Sequence, residues 1–265
     1  MTDEALSGQS KTLVRGLSIL NACAKSRRGL TLVEIAEATA MAPSTVHRLL
    51  TALEALEYLV CEIDTGRWRI GVAGFRVGNA FIRSRDYVSQ IRPLMVDLAD
   101  TTGETVNLAI LSKHQALFVS QVESTHLMRM VAALGSRVPL YASGAGKALL
   151  AALPADEQAP LIDRQAFTAV TRHTLTAKSA LIRELASVRK VGCAYDREEH
   201  VMGMQCVAAP VFNEFGEVVC ALSVSGPRVR VDAPTLNSHG QAVIEAAARA
   251  TDVLGGVRPE YWLHG

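Results

Sequence analysis

Cys206, His200 and Asp196 offer between them a nucleophile, a base and an orienting carboxylate, the composition of a thiol-based small-carboxylate enzyme. Nothing in their spacing brings the three together or activates the thiol. Gly144-Ala145-Gly146-Lys147 has the look of a phosphate loop, but Ala148 stands where Ser or Thr belongs and Tyr141 where the first glycine belongs. His114, His126, His173 and His239 form no HxxxH or HxH metal pair, and the five cysteines never approach a CxxC spacing. The same residues suit binding better. Gly144 and Ala145 open a helical run, so their amides face outward at the positive end of its dipole, a natural seat for a carboxylate. Ser223 and Ser225 are two apart on an alternating segment and share a face, while Cys206 on a neighbouring strand adds a small, weak donor.

A second constellation lies near the N-terminus. Ser44, Thr45, His47, Arg48 and Thr51 fall on one side of a helical pattern, with no carboxylate before Glu54. Short hydroxyls at a helix start and an arginine behind them are what a helix needs to enter the major groove of DNA. The opposite side, Val46, Leu49, Leu50, Leu53 and Leu56, is apolar at helical spacing. Residues 11–50 carry Lys11, Arg15, Lys25, Arg27, Arg28 and Arg48 against Glu34 and Glu37, a local charge of +4 on a chain whose net charge is only +1.

The elements that hold this helix can be read around it. Leu13, Leu17, Leu20 and Ala24 recur at helical spacing in a first helix. Thr31-Leu32-Val33-Glu34 is a capping box opening a second. Asp64-Thr65-Gly66 turns a hairpin whose second arm alternates, Trp68 and Ile70 on one side, Arg67 and Arg69 on the other, where they can reach flanking backbone or minor groove. Three helices and a hairpin make a winged helix-turn-helix over residues 10–71, after a disordered start (1–9). A linker helix (72–86) follows, whose glycines 71, 74 and 78 suggest close approach to a partner subunit. Residues 87–265 then read as an α+β domain around one antiparallel sheet: a helix over 88–102, strands near 105–111, 116–122, 127–132 and 138–141, a helix from Gly144, another over 179–191, strands at 193–195, 204–212 and 217–225, and a closing helix.

With 265 residues, 49% of them hydrophobic, the chain can bury a core in each part. No apolar run reaches the length of a membrane span, and the first ten residues lack a signal peptide's apolar core, so the expectation is a cytoplasmic protein without membrane contact.

The runs GRWRIG (66–71), GETVN (103–107), THLMRM (125–130), ASGAGKA (142–148), DREEH (196–200) and SVSGP (223–227) resemble, in order, the IclR family of bacterial transcriptional regulators. The resemblance spans nearly all of residues 10–257. It implies a winged DNA-binding domain, a GAF-like effector-binding domain, repression at a double-stranded operator, and self-association as a dimer or a dimer of dimers (a homotetramer). No catalytic role and no cofactor or metal follow from it. It further implies a small 2-oxo acid effector, glyoxylate first and pyruvate next, with Gly144, Ala145, Asp196, Cys206, Ser223 and Ser225 as polar contacts. Leu127, Met130, Val138 and Met204 would form the apolar wall. Two expectations follow from chemistry. Asp196 beside an anion must be neutral or matched by a cation other than Arg197, which points the other way on a strand. Leu127 and Met130, three apart, cannot both line one cavity from a regular strand.

Overall fold

The computed structural model describes residues 10–26, 28–83, 87–130 and 132–263. The expected disordered start (1–9) and the last residues of the expected linker helix (84–86) lie outside the described residues. The chain divides into two compact units at residues 84/85.

The first unit holds α1 (Lys11–Lys25), α2 (Leu32–Thr39), α3 (Pro43–Ala55), the hairpin β1 (Leu59–Glu62) and β2 (Arg67–Ile70), and α4 (Val72–Arg83). The capping box forms in both directions: Glu34 N donates to Thr31 Oγ1 at 3.3 Å and Thr31 N to Glu34 Oε2 at 2.7 Å. α2 stops at Ala40 in the left-handed region (φ 51°), and the chain re-enters helix at Pro43, whose missing N–H costs nothing at a first turn. Ile19, Cys23, Ile35, Val46, Leu50 and Leu59 close the core between the three helices. Leu30 adds a bridge to Trp68 at the edge of the hairpin.

The helically spaced stripe of α1 is only partly covered: Leu13 is 62% and Leu17 50% exposed, Leu20 packs on the core, and Ile19 and Cys23 are the buried residues. Leu56, read as the end of the buried face of α3, is 64% exposed. Gly71 and Gly74 do serve a close approach, but to their own chain: a side chain would meet Glu57 O at 2.3 Å and Ile70 Cγ2 at 2.7 Å, while Gly78 has open space.

The second unit runs α5 (Tyr87–Thr102), β3 (Thr105–Ser112), β4 (Gln115–Val122), β5 (Arg137–Pro139), α6 (Gly144–Ala151), α7 (Ala155–Asp163), α8 (Lys178–Val191), β6 (Ala194–Arg197), β7 (Met204–Phe212), β8 (Val218–Pro227), α9 (Ala233–Val253) and α10 (Glu260–Leu263). The strands form one antiparallel sheet in the order β5-β4-β3-β8-β7-β6. α5 and α9 cover one face, α6 the other, with α8 packed behind α6. α6 packs on the strands through small residues on both surfaces: Ala145 and Ala148 share a core with Ala109, Ala194, Ala208 and Ala221. Residues 127–130 and 132, within a strand expected over 127–132, are irregular, and α7 and α10 were not expected at all. Pro154 and Pro160 hide α7 from a periodicity reading, since each reads as a breaker.

Candidate ligand-binding and nucleic-acid-binding sites

The sheet register collects the polar residues. Asp196, Cys206, Ser225 and Thr105 are successive cross-strand partners on β6, β7, β8 and β3, so their side chains leave the same face in one row. Two residues deeper, Ala194, Ala208, Ser223, Asn107 and Gln121 form the next row. The start of α6 sits above: a side chain at Gly144 would meet Cys206 Sγ at 3.0 Å. The N-cap Ser143 satisfies two amides, its Oγ accepting from Gly146 N and its carbonyl from Lys147 N. The buried amides of Gly144 and Ala145 have no acceptor among the described residues.

A cavity of about 60 Å³ opens at this point, lined by Met130, Asp196, His200, Met204, Cys206 and Ser225 among others. A water in the liquid occupies about 30 Å³, so the space suits a molecule of a few heavy atoms. Met130 is held there by its carbonyl, which accepts from Thr105 Oγ1 at 3.0 Å. Leu127 is not in the wall: it is 100% exposed. Val138 is buried in the core under α6, paired with Ala116 on the far side of the sheet, four strand spacings or about 19 Å from β7. Of the four apolar residues named from the sequence, Met130 and Met204 reach the cavity.

Asp196 is 8% exposed and accepts from Glu199 N at 2.7 Å. Burial, and after it the charge of Glu199, pushes its carboxyl up to about 7. The cation that answers this cluster is Lys147, not Arg197, whose guanidinium lies over the Tyr195 ring. Lys147 is 0% exposed, and its Nζ donates to Glu199 (2.7 and 2.9 Å) and Glu184 (3.1 Å). The lysine of the phosphate-loop lookalike therefore faces inward, and the sequence reading missed it as part of the site's support. So it did Asn107: only its place in the GETVN run marked it.

His200, Cys206 and Asp196 do line one cavity, as a thiol-based enzyme would require. Their chemistry runs the other way. Burial, then the Asp196 charge, pushes the Cys206 thiol up to about 12, whereas a nucleophilic cysteine is held low by a neighbouring cation or helix start. Burial also lowers the pKa of His200, so at neutral pH it is an uncharged ring that cannot stabilise a thiolate. The site presents a carboxylic acid, a thiol, hydroxyls and free amides: hydrogen-bonding equipment for a small oxyacid.

In the first unit, Ser44, His47, Arg48 and Thr51 are exposed on α3 and Thr45 is half-buried. No acidic residue occupies the first turn, and Arg48 has no ion-pair partner among the described residues. Lys11 and Arg15 are exposed on α1. Arg67 is different: it donates to Gly29 O at 2.8 Å and pairs with Glu34 at 3.1 Å, locking the hairpin to the start of α2. Arg69 pairs with Glu62 across the hairpin at 3.4 Å and stays exposed. The free cationic group is on the recognition helix more than on the wing.

Comparison with known proteins finds relatives of both parts. Residues 12–61 match the IclR helix-turn-helix domain and residues 79–252 the bacterial transcriptional regulator IclR C-terminal domain. The chain is 40% identical to the transcriptional repressor IclR of Escherichia coli (strain K12), over 95% of this chain and 92% of the relative. It is 44% identical to the HTH-type transcriptional regulator BhcR of Paracoccus denitrificans, over 91% of this chain and 86% of the relative. The crystal structure of Thermotoga maritima IclR superposes with a TM-score of 0.81 at 28% identity, covering 92% of this chain and 98% of that one. A DNA-reading head and a ligand-binding domain in this order, in both sequence and fold, make the chain a member of the IclR family of transcriptional regulators.

Proposed function

We propose that the ligand-binding domain takes a small 2-oxo acid, glyoxylate first and pyruvate second, and that its occupancy changes the affinity of the N-terminal heads for an operator. The observation that carries this reading is the small cavity lined by Asp196, Cys206 and Ser225, beside the start of α6, whose first two amides have no acceptor among the described residues. A two- or three-carbon acid has too little apolar surface to bind by burial, so charge-assisted hydrogen bonds must supply most of the affinity. Two copies, paired through exposed apolar surface of the N-terminal unit, present two α3 helices to successive major grooves, and two such dimers make the tetramer. The effector acts by binding one arrangement of the heads more tightly, and DNA biases effector affinity by the same factor. The regulator works in the cytoplasm, where its operator is.

Calorimetric titration with two- to four-carbon oxo acids, alongside anisotropy on a duplex selected from random sequence by the protein itself, tests this. Glyoxylate or pyruvate should bind and change DNA affinity without being consumed. Ser223→Ala should keep DNA binding and blunt the response. Turnover of the acid, or no binding by any oxo acid, would overturn the reading.

A further inference from the structure

Among the described residues, Asn107 Nδ2 on the α6 face of the sheet has no hydrogen-bond partner, and the buried Ser223 Oγ has no partner but the weak Cys206 thiol. Their residues are 0% and 1% exposed. They are direct cross-strand partners, so the two side chains rise side by side, with Cβ atoms about 5 Å apart. Gln121, the next residue in the row, donates from Nε2 to Asn107 Oδ1 at 2.7 Å. With that bond made, Asn107 Nδ2 is the end of the amide turned away from Gln121. On the other flank Ser223 pairs with Ala208, whose Cβ lies 3.6 Å from where a Gly144 side chain would begin. Asn107 Nδ2 and Ser223 Oγ thus lie in the row directly behind Cys206 and Ser225, on the face covered by the start of α6 and its two acceptor-free amides. All four can donate, and buried donors without acceptors are rare in folded proteins. A carboxylate, with two oxygens and about four lone-pair sites, is the ligand group that satisfies them together.

We infer that Asn107 is a specificity-determining residue of the effector site, its Nδ2 donating with Ser223 Oγ to the effector carboxylate while the Gly144 and Ala145 amides bind it from above. The row of Asp196, Cys206 and Ser225 is then left to read the oxo end. This rests on the proposed effector class, and the experiment separates the two.

The full-length protein is titrated with glyoxylate and pyruvate, then its Asn107→Leu and Asn107→Asp variants. Asn107→Leu keeps the shape and removes the donor; affinity should fall at least tenfold, with operator binding by the empty protein unchanged. Asn107→Asp should bind far more weakly than the wild type at pH 8 and regain more affinity than the wild type does as pH falls, because a second carboxyl beside that of Asp196 must take up a proton; a pH profile parallel to the wild type's would overturn the assignment. If Asn107→Leu does not fold, the pH series on Asn107→Asp decides alone. Wild-type binding with both variants within twofold overturns the assignment of Asn107 and leaves the effector reading standing. Failure of the wild type to bind either acid overturns the effector reading and the assignment with it.

Discussion

An anion seated below the first turn of α6 meets, in Asp196, a carboxyl displaced from its ordinary 3.8 to about 7 by burial and by Glu199. Protonated, it donates to the ligand; ionised, it repels it. Glu199 is already matched by Lys147, the Cys206 thiol is pushed up and stays neutral, and His200 is held neutral, so no other facing group supplies the missing positive charge. Effector affinity should therefore fall as pH rises through about 7, by at most tenfold per unit because one proton is involved. Asp196→Asn should retain binding and flatten that slope. Calorimetry from pH 6 to 8 in buffers of different ionisation enthalpy measures both, and an affinity constant over that range would refute the role given to Asp196. The empty domain follows the same sign: a carboxyl raised above its unfolded value loses its stabilising contribution as pH climbs from about 4 to about 7. The sequence foretold that Asp196 needed neutrality or a cation, because that demand is local chemistry. It could not reveal Lys147 or Asn107. A lysine in a short helix and an asparagine in an alternating strand look like surface residues until the sheet register puts them inside.

The helices and hairpin divide the work of reading DNA unevenly. Arg48→Ala should weaken operator binding by about 1–3 kcal/mol with unchanged thermal unfolding, if its guanidinium reads a base. Arg67→Ala should act mainly on the fold, costing up to about 1 kcal/mol because the ion pair with Glu34 is partly exposed. Thermal melts and anisotropy on the same two variants check this, and equal effects of both on DNA affinity alone would contradict it. The capping box at Thr31 and the apolar side of α3 were legible because each is decided within one turn of helix. The faces of α1 were not. Leucines at helical spacing mark an apolar stripe, and spacing says nothing of whether the chain itself or another copy covers it. The strand expected near 127–132 failed for another reason: residues 127–130 pair with no strand among the described residues, and alternation without a partner does not make a strand.

At the scale of the molecule, the N-terminal unit leaves an apolar groove of about 500 Å³ bordered by Leu13, Leu17, Leu49, Leu53, Leu56 and Tyr58 among others. On α4, Val72, Phe75 and Val77 are each more than half exposed. Surface of this kind is where the second copy proposed above would pair. Leu17→Asp should lower the self-association measured by sedimentation velocity and reduce operator affinity at least tenfold, since one head alone holds half the contacts. The fold should survive, because Leu17 is 50% exposed. An unchanged sedimentation profile would move the pairing surface elsewhere.

The small-residue floor beneath α6 has a consequence for evolution as well as for binding. With Cys206 Sγ, Ala194 O and Ala208 Cβ already 3.0 to 3.6 Å from the position a Gly144 side chain would take, the ceiling of the cavity is helix main chain resting on short side chains and a strand carbonyl. Rotamer changes cannot raise it. A descendant that answered to a bulkier metabolite would have to lift a whole helix, so changes in diet across such proteins should be written in helix position before they are written in the polar residues that greet the acid.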